Sequence, residues 1–273
     1  MQGTPISRDG LANTISVVIP AYNEALRLEP TVREVAAYLR GRAIDFEIIV
    51  VDDGSRDGTF DIVQRLGAEI REVRGIRLPA NRGKGCAVRT GVLAAHGARV
   101  LFTDADGATP IAELARLEGA LDDGADGAIG SRAGMAHGVQ IEARLHRRLL
   151  GRVFHTLVCL VAVGGYHDTQ CGFKLFSRAV ANDLFSRQRS DGFSFDVELL
   201  LLARRLGYRI REVPVNWTHQ PGSRINLVTD SARMALDLFV IRARLLRSRR
   251  QLRNSAAARA ERGARRSGAA ALP

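Results

Sequence analysis

Apolar runs and amphipathic stretches alternate along the first half of the chain. Ile15-Ser16-Val17-Val18-Ile19 predicts a buried strand that stops at Pro20, followed by the loop Pro20-Ala21-Tyr22-Asn23-Glu24. From about Leu28 to Arg40 the apolar residues Val32, Val35, Ala36 and Leu39 recur at helical spacing. Phe46 to Val51 predicts a second strand, ending in Asp52-Asp53-Gly54-Ser55. A helix over about Thr59 to Leu66 follows, then a strand within Ile70 to Leu78 and the Gly-rich turn Asn81-Arg82-Gly83-Lys84-Gly85. A helix from Cys86 to His96 leads to the apolar run Ala98 to Thr103, which ends in Asp104-Ala105-Asp106. Gly124 to Ser131 gives a further strand, with Arg132 just beyond it. Strands and helices at these short intervals predict an α/β fold, a mostly parallel central sheet with helices on both faces. Such sheets bind ligands beyond the carboxyl ends of their strands, where Asn23-Glu24, Asp52-Asp53 and Asp104-Asp106 all fall.

The second half reads differently. Glu142 to Val163 predicts one or two helices, with Leu145, Leu149, Val153 and Leu157 on a stripe flanked by Arg144, Arg147, Arg148 and Arg152. Gln170 to Phe176 predicts a strand, Phe195 to about Leu206 a helix, Tyr208 to Val215 a strand and Trp217 to Ser223 a polar loop. Asn226 to Arg250 is a long helical pattern with Leu227, Met234, Leu238, Ile241 and Leu245 on one stripe. Residues 1–13 and the Ala/Arg-rich stretch 251–273 are expected to be disordered, leaving 14–225 as the globular domain and 226–250 as an amphipathic basic helix.

Charge sharpens this division. The net charge of the 273 residues is +11, but ten Arg and one acid lie beyond position 241, so the body carries +2 and the tail +9. Nucleic-acid binding is the alternative that such a charge raises. Its confinement to the tail, with no recognition motif or interleaved aromatics, argues against a specific nucleic-acid partner. Cys86, Cys159 and Cys171 match no zinc or redox spacing, and no signal-peptide pattern opens the chain. The longest apolar stretch, Val153 to Val163, is too short to span a bilayer. The expectation is a cytoplasmic protein held at the membrane surface by basic amphipathic helices. Core-facing helices with solvated outer faces are the plainer reading of the same patterns.

The acidic clusters carry the candidate chemistry. Two carboxylates one residue apart at a strand end, Asp104 and Asp106, suit a hard divalent ion, Mg2+ or Mn2+, that keeps sites open for substrate phosphates. Taken alone they read equally well as loop acids. Asp52 and Asp53 suit hydrogen bonds to a ribose or a base, against a helix-capping role.

Four motifs together resemble the family 2 glycosyltransferases of the GT-A fold, a Rossmann-like nucleotide-diphospho-sugar transferase fold. These are Val18 to Glu24, Val51 to Ser55, Asn81 to Gly85, and Asp104-Ala105-Asp106. In the second half, Gly130-Ser131-Arg132, Asp168 to Phe176, Phe195-Asp196-Val197-Glu198 and Val213 to Trp217 are similar to the dolichyl-phosphate β-glucosyltransferase branch. The resemblance covers about residues 14–225. It implies that Pro20, Tyr22, Glu24, Asp52, Asp53, Lys84 and Asp104 bind the nucleotide sugar, and that Asp104 and Asp106 hold the metal against its diphosphate. It places Arg132, Gln170 and Lys174 on the acceptor phosphate side. Asp168 and Asp196 become candidates for direct catalytic roles beside Asp104 and Asp106, although either could instead orient an Arg or cap a helix.

Two departures refine the picture. The run Asp104-Ala105-Asp106-Gly107-Ala108 lacks the Gln that helps the metal in related mannosyl-phosphate-lipid synthases. Gln220-Pro221-Gly222-Ser223 is not the QxxRW signature of processive polysaccharide synthases. The implied reaction is an inverting, metal-dependent transfer of glucose from UDP-glucose to a polyprenyl phosphate, dolichyl or undecaprenyl. GDP-mannose or another nucleotide sugar is the alternative donor, and a soluble acceptor a further possibility.

Overall fold

The computed structural model describes residues 14–132, 141–142, 165–220, 236–238 and 240–244. Among these, a seven-stranded sheet forms the centre, in the order β3-β2-β1-β4-β7-β5-β8. The strands are β1 (Thr14–Ala21), β2 (Asp45–Asp52), β3 (Val73–Arg77), β4 (Arg99–Thr103), β5 (Gly127–Ser131), β7 (Phe173–Ser177) and β8 (Ile210–Pro214). All run parallel except β7, which enters antiparallel between β4 and β5. A two-residue pairing joins β6 (Ile141–Glu142) to β9 (Trp217–Thr218), so Trp217 and Thr218 lie in a strand where a polar loop was expected.

The helices cover both faces, as the alternating pattern required. Buried residues of α1 (Leu28–Gly41), α2 (Thr59–Glu69) and α4 (Leu114–Asp122) join one apolar cluster with Val17, Ile19, Ile48, Val50 and Leu101. Those of α3 (Lys84–Leu93), α5 (Arg178–Arg187) and α6 (Phe195–Leu206) join the other with Val18, Ile49, Val51, Val100 and Phe102. Neighbouring strand residues thus point to opposite cores, which is why these strands are apolar throughout. The buried face of α1 includes Val32, Val35, Ala36 and Leu39, the positions its periodicity marks. Helices α4 and α5 were not foreseen, although Leu114, Leu117 and Ala120, and Val180, Ala181, Leu184 and Phe185, lie buried at helical spacing.

Two expectations are corrected. Strand β1 does not stop at Pro20 but pairs through Pro20↔Val51 and Ala21↔Asp52. Its pairing with β4 ends at Val18↔Phe102, so Pro20 lies where the strand has one neighbour and a missing N–H is tolerated. Residues 236–238 and 240–244 are helical, but the members of the 226–250 stripe described there, Leu238 and Ile241, are buried. Leu238 packs with Ile129, Val197 and Leu200, so at that position the stripe faces the domain. Leu236 and Val240, one helical turn apart, are the exposed apolar residues of this segment. Residues 1–13, the pattern over 142–163 and the stretch 251–273 lie outside the described residues. Among the described residues no helix is long and apolar enough to cross a membrane.

Candidate active site

The parallel strands bring the carboxyl ends of β2, β1, β4 and β5 to one edge of the sheet. Because β7 runs the other way, its amino end reaches the same edge. The Asp168–Gly172 segment therefore meets Asp104 and Arg132, which no local pattern in the sequence could reveal. Along this edge the site has three stations.

The first is a cleft of about 470 Å³ lined by Tyr22, Gly54, Ser55, Arg56, Arg77, Leu78, Pro79, Ala80 and Asn81. Tyr22 is half-buried at the end of β1, beyond the buried Pro20. The loop after β1 is fastened to the loop after β2: Asn23 N–H donates to Ser55 Oγ at 2.8 Å, Arg56 N–H to Asn23 Oδ1 at 2.8 Å, and Glu24 N–H to Thr59 Oγ1 at 2.8 Å. The adjacent acids divide their work. Asp53 accepts the N–H groups of Arg82 and Gly83, both at 2.8 Å, and so fixes the Gly-rich turn. Burial still pushes the Asp53 carboxyl up, against those two bonds. Asp52 is fully buried: Oδ1 accepts Ser55 N–H at 3.2 Å, while Oδ2 has no hydrogen bond and lies 3.3 Å from Arg77 Nε. Asp52 Oδ2 thus faces Arg77, which lines the cleft.

The second station is the carboxylate pair. Asp104 and Asp106 are both partly exposed at the end of β4. Lys84 opens α3 and places Nζ 2.5 Å from Asp104 Oδ1. Asp106 Oδ1 accepts Ala108 N–H at 3.1 Å, and Oδ2 lies 4.0 Å from Arg27. Arg27 is held by both oxygens of Glu24, each at 2.7 Å, which occupies the Glu24 carboxylate foreseen as a nucleotide contact. Burial and the Asp104 charge push the Asp106 carboxyl up. Two hard, mutually repelling oxygen donors fit a divalent cation well. Among the described residues no group of three or more His, Cys, Asp or Glu side chains comes together as a metal site, so at Asp104 and Asp106 the protein offers two carboxylates and no third ligand of these types.

Gly172 completes this station. The register Thr103↔Phe173 sets Gly172 across from Asp104, where an added Cβ would overlap the Asp104 carboxylate. Gly172→Ala is expected to force Asp104 into another rotamer, lowering kcat by about a hundredfold, as a misplaced reacting group does. The melting temperature should change little, because the displaced group is a side-chain tip. Near-normal kcat in that variant would show that Asp104 tolerates the move.

The third station is Arg132, one residue past β5. Asp168 grips it through Nε at 2.7 Å and Nη2 at 2.9 Å, and also accepts its backbone N–H at 3.0 Å. The guanidinium lies over Trp217, 5.6 Å from the ring centroid. The Gln170 N–H also donates to Asp168, at 3.1 Å, so Gln170 joins this station at least through its backbone. From β8, Glu212 accepts the N–H groups of His167 (2.9 Å) and Asp168 (2.7 Å). Arg27, Arg77 and Glu212 are site residues that sequence reasoning missed, and the place of Gly172 against Asp104 was not foreseen.

Burial alone would raise the Asp168 carboxyl, but Arg132 and the two backbone bonds hold it well below the usual carboxylate range. A depressed value contributes stability that is present above the ordinary carboxylate pKa, about 3.9, and is lost as pH falls through the folded value. The stability difference between wild type and Asp168→Asn, read by urea melts, should therefore be full at pH 6 and shrink steadily below about pH 4. A difference unchanged down to pH 2 would contradict the assignment.

Two expected site residues are buried beside the second station rather than open to it. Lys174 is fully buried in β7, donates to Cys171 O at 2.7 Å and to Asp196, and lies over the Phe102 ring. It is not placed to meet an acceptor phosphate. Asp196, in the first turn of α6, is buried as the partner of Lys174 and lies within electrostatic reach of Lys84. Burial pushes its carboxyl up while Lys174 and Lys84 pull it down, so the pair is held against a desolvation cost. Asp168, tied through both oxygens, orients Arg132 and is not free to act as a base. The Cys171 thiol is pushed up to about 12 by burial, which leaves it inert as a nucleophile.

Residues 16–185 match the family model described as glycosyl transferase family 2. The chain is 41% identical over 259 residues to the dolichyl-phosphate beta-glucosyltransferase of Drosophila melanogaster, covering 89% of this chain and 78% of that protein. It is 40% identical over 253 residues to the Homo sapiens protein of the same description, covering 87% and 78%. The Saccharomyces cerevisiae protein so described is 38% identical over 249 residues, covering 84% and 74%. Among solved structures, glucosyl-3-phosphoglycerate synthase from Mycobacterium tuberculosis with Mn2+, UDP-glucose and phosphoglyceric acid superposes with a TM-score of 0.64 at 24% identity. It covers 88% of this chain and 85% of that one, a likeness of fold.

Proposed function

The chain belongs to glycosyl transferase family 2, and on that premise we propose that it transfers glucose from UDP-glucose to the phosphate of a polyprenyl lipid, inverting the anomeric centre. One observation carries the reading: nucleoside-sized cleft, carboxylate pair and held arginine follow one another along a single sheet edge, in the order β2, β1, β4, β5. That order is a donor side, a diphosphate position and an acceptor side. The relatives named above are dolichyl-phosphate β-glucosyltransferases, which favours glucose and a dolichyl-type acceptor.

In this reading Tyr22, Asp52 and Arg77 hold the nucleoside. Asp104 and Asp106 would hold Mg2+ or Mn2+, which when bound would supply positive charge against the leaving diphosphate. Lys84 adds a cation on the same side. Arg132, locked by Asp168 and stacked on Trp217, receives the acceptor phosphate opposite the leaving group. A phosphate acceptor is already ionised near neutral pH, so it needs positioning more than deprotonation. This fits a site in which Asp168 and Asp196 are committed to Arg132 and Lys174. The exposed Leu236 and Val240, with the Arg-rich sequence that follows, would turn toward the cytoplasmic face of an anionic membrane where such a lipid resides.

Purified full-length protein, divalent metal and dolichyl phosphate, offered a panel of radiolabelled nucleotide sugars, tests the proposal. UDP-glucose should carry label into organic solvent. Label from GDP-mannose alone would change the donor, and no lipid-bound label from any donor would overturn the acceptor.

A further inference from the structure

The chain contains 40 basic Lys and Arg side chains, of which only Lys84 and Lys174 are lysines. The fold sets Lys174 over the Phe102 ring from β7 and Lys84 on Asp104, two residues along the chain from Phe102. Each holds a carboxylate, Lys84 that of Asp104 and Lys174 that of Asp196. A compact ammonium sits on one carboxylate oxygen as a point charge, as a metal ion does, whereas a guanidinium favours a two-pronged fork.

The backbone at Lys84 has little freedom of position, while the side chain above it can still turn. Asp53 fixes the N–H groups of Arg82 and Gly83. Side chains at Gly83 and Gly85 would come within 2.5 Å of Asp191 O and Ser190 O, so the turn lies against the 190–192 loop. That loop is itself tied down, by Glu198 accepting the N–H groups of Arg189 (3.0 Å) and Ser190 (2.7 Å) and by Gln188 donating to Gly85 O at 2.9 Å. The backbone beneath Lys84 is thus built to deliver its ammonium to Asp104.

We infer that Lys84 serves as a stand-in cation on Asp104, yielding that carboxylate to the divalent ion only when a nucleoside diphosphate is present to take the ammonium. The inference rests on the reading of Asp104 and Asp106 as metal ligands. A divalent ion arriving alone would meet an ammonium already on its ligand and be repelled by it. An incoming diphosphate brings negative charge for both cations, so Lys84 can swing from carboxylate to phosphate while the ion takes its place. Metal and donor then bind together, and the empty site does not collect metal.

Manganese binding to the full-length protein, read from the electron spin resonance signal of free Mn2+, tests this without turnover. Without nucleotide, Lys84→Met should bind Mn2+ about tenfold more tightly than wild type, and should keep that gain at about 0.5 M salt, where diffuse charge effects are screened. Its gain in Mn2+ affinity on adding UDP should be smaller than that of wild type. Affinity no higher than wild type, or a gain lost in salt, overturns the inference. Lys84→Gln, with similar reach and no charge, is the second variant if the first melts early. Asp104→Asn tests the underlying reading separately: unchanged Mn2+ binding in the presence of UDP would remove the metal from Asp104 whatever Lys84 does.

Discussion

Asp104→Ala is expected to lower kcat by about a thousandfold or more while leaving the protein folded. The loss corresponds to about 4 kcal/mol of transition-state stabilisation, the scale of one preorganised electrostatic partner of a leaving group. Asp104 stands at the end of β4, partly exposed, with its carboxylate against Gly172 and Lys84. Its removal therefore takes away the proposed metal ligand and the counter-charge of Lys84 without opening the core, which begins at Thr103 and Phe102. Near-wild-type thermal melting with abolished turnover is the expected pair of results. Activity within tenfold of wild type at saturating UDP-glucose would mean that Asp106 alone, or another group, carries the charge.

The edge that carries this chemistry was legible in part. The ends of β1, β2 and β4 were marked by apolar runs breaking into Tyr22-Asn23-Glu24, Asp52-Asp53 and Asp104-Ala105-Asp106. The faces of α1 and the span of α6 followed from periodicity. What periodicity cannot carry is direction and neighbourhood. Gln170 to Phe176 reads as a strand, but nothing local says that β7 runs antiparallel between β4 and β5 and so brings Gly172 to Asp104. Division of labour between adjacent acids was equally hidden. Asp52 and Asp53 look alike in sequence, yet one keeps a buried oxygen free of hydrogen bonds and the other closes the Gly-rich turn. Lys174 misled for a related reason. A lone lysine in a motif reads as a phosphate contact, whereas its neighbours Phe173, Leu175 and Phe176, all buried, were the better sign of a buried position. The partner that permits this burial, Asp196, lies 22 residues away and on another element.

That pair supports the largest stability effect expected here. Lys174→Met leaves Asp196 buried without its nearest cation, and breaking a buried pair from one side costs about 3–5 kcal/mol. Lys174 is fully buried and Asp196 nearly so, so solvent offers little relief. Replacing both, as Lys174→Met with Asp196→Leu, removes the stranded charge together with the desolvation cost, and should recover most of the lost stability. The pH dependence separates this from a simple packing defect. With Lys174 gone, burial acts on Asp196 opposed mainly by Lys84, and its carboxyl moves further above the ordinary range. A raised value contributes stability that is present below the unfolded pKa and lost as pH rises through the folded one. Urea melts of Lys174→Met should therefore show a smaller deficit near pH 5 than at pH 8, and the double variant should show no such slope. A single variant within about 1 kcal/mol of wild type at pH 8 would mean that water or Lys84 compensates Asp196, and that the pair is not the electrostatic support it is taken to be.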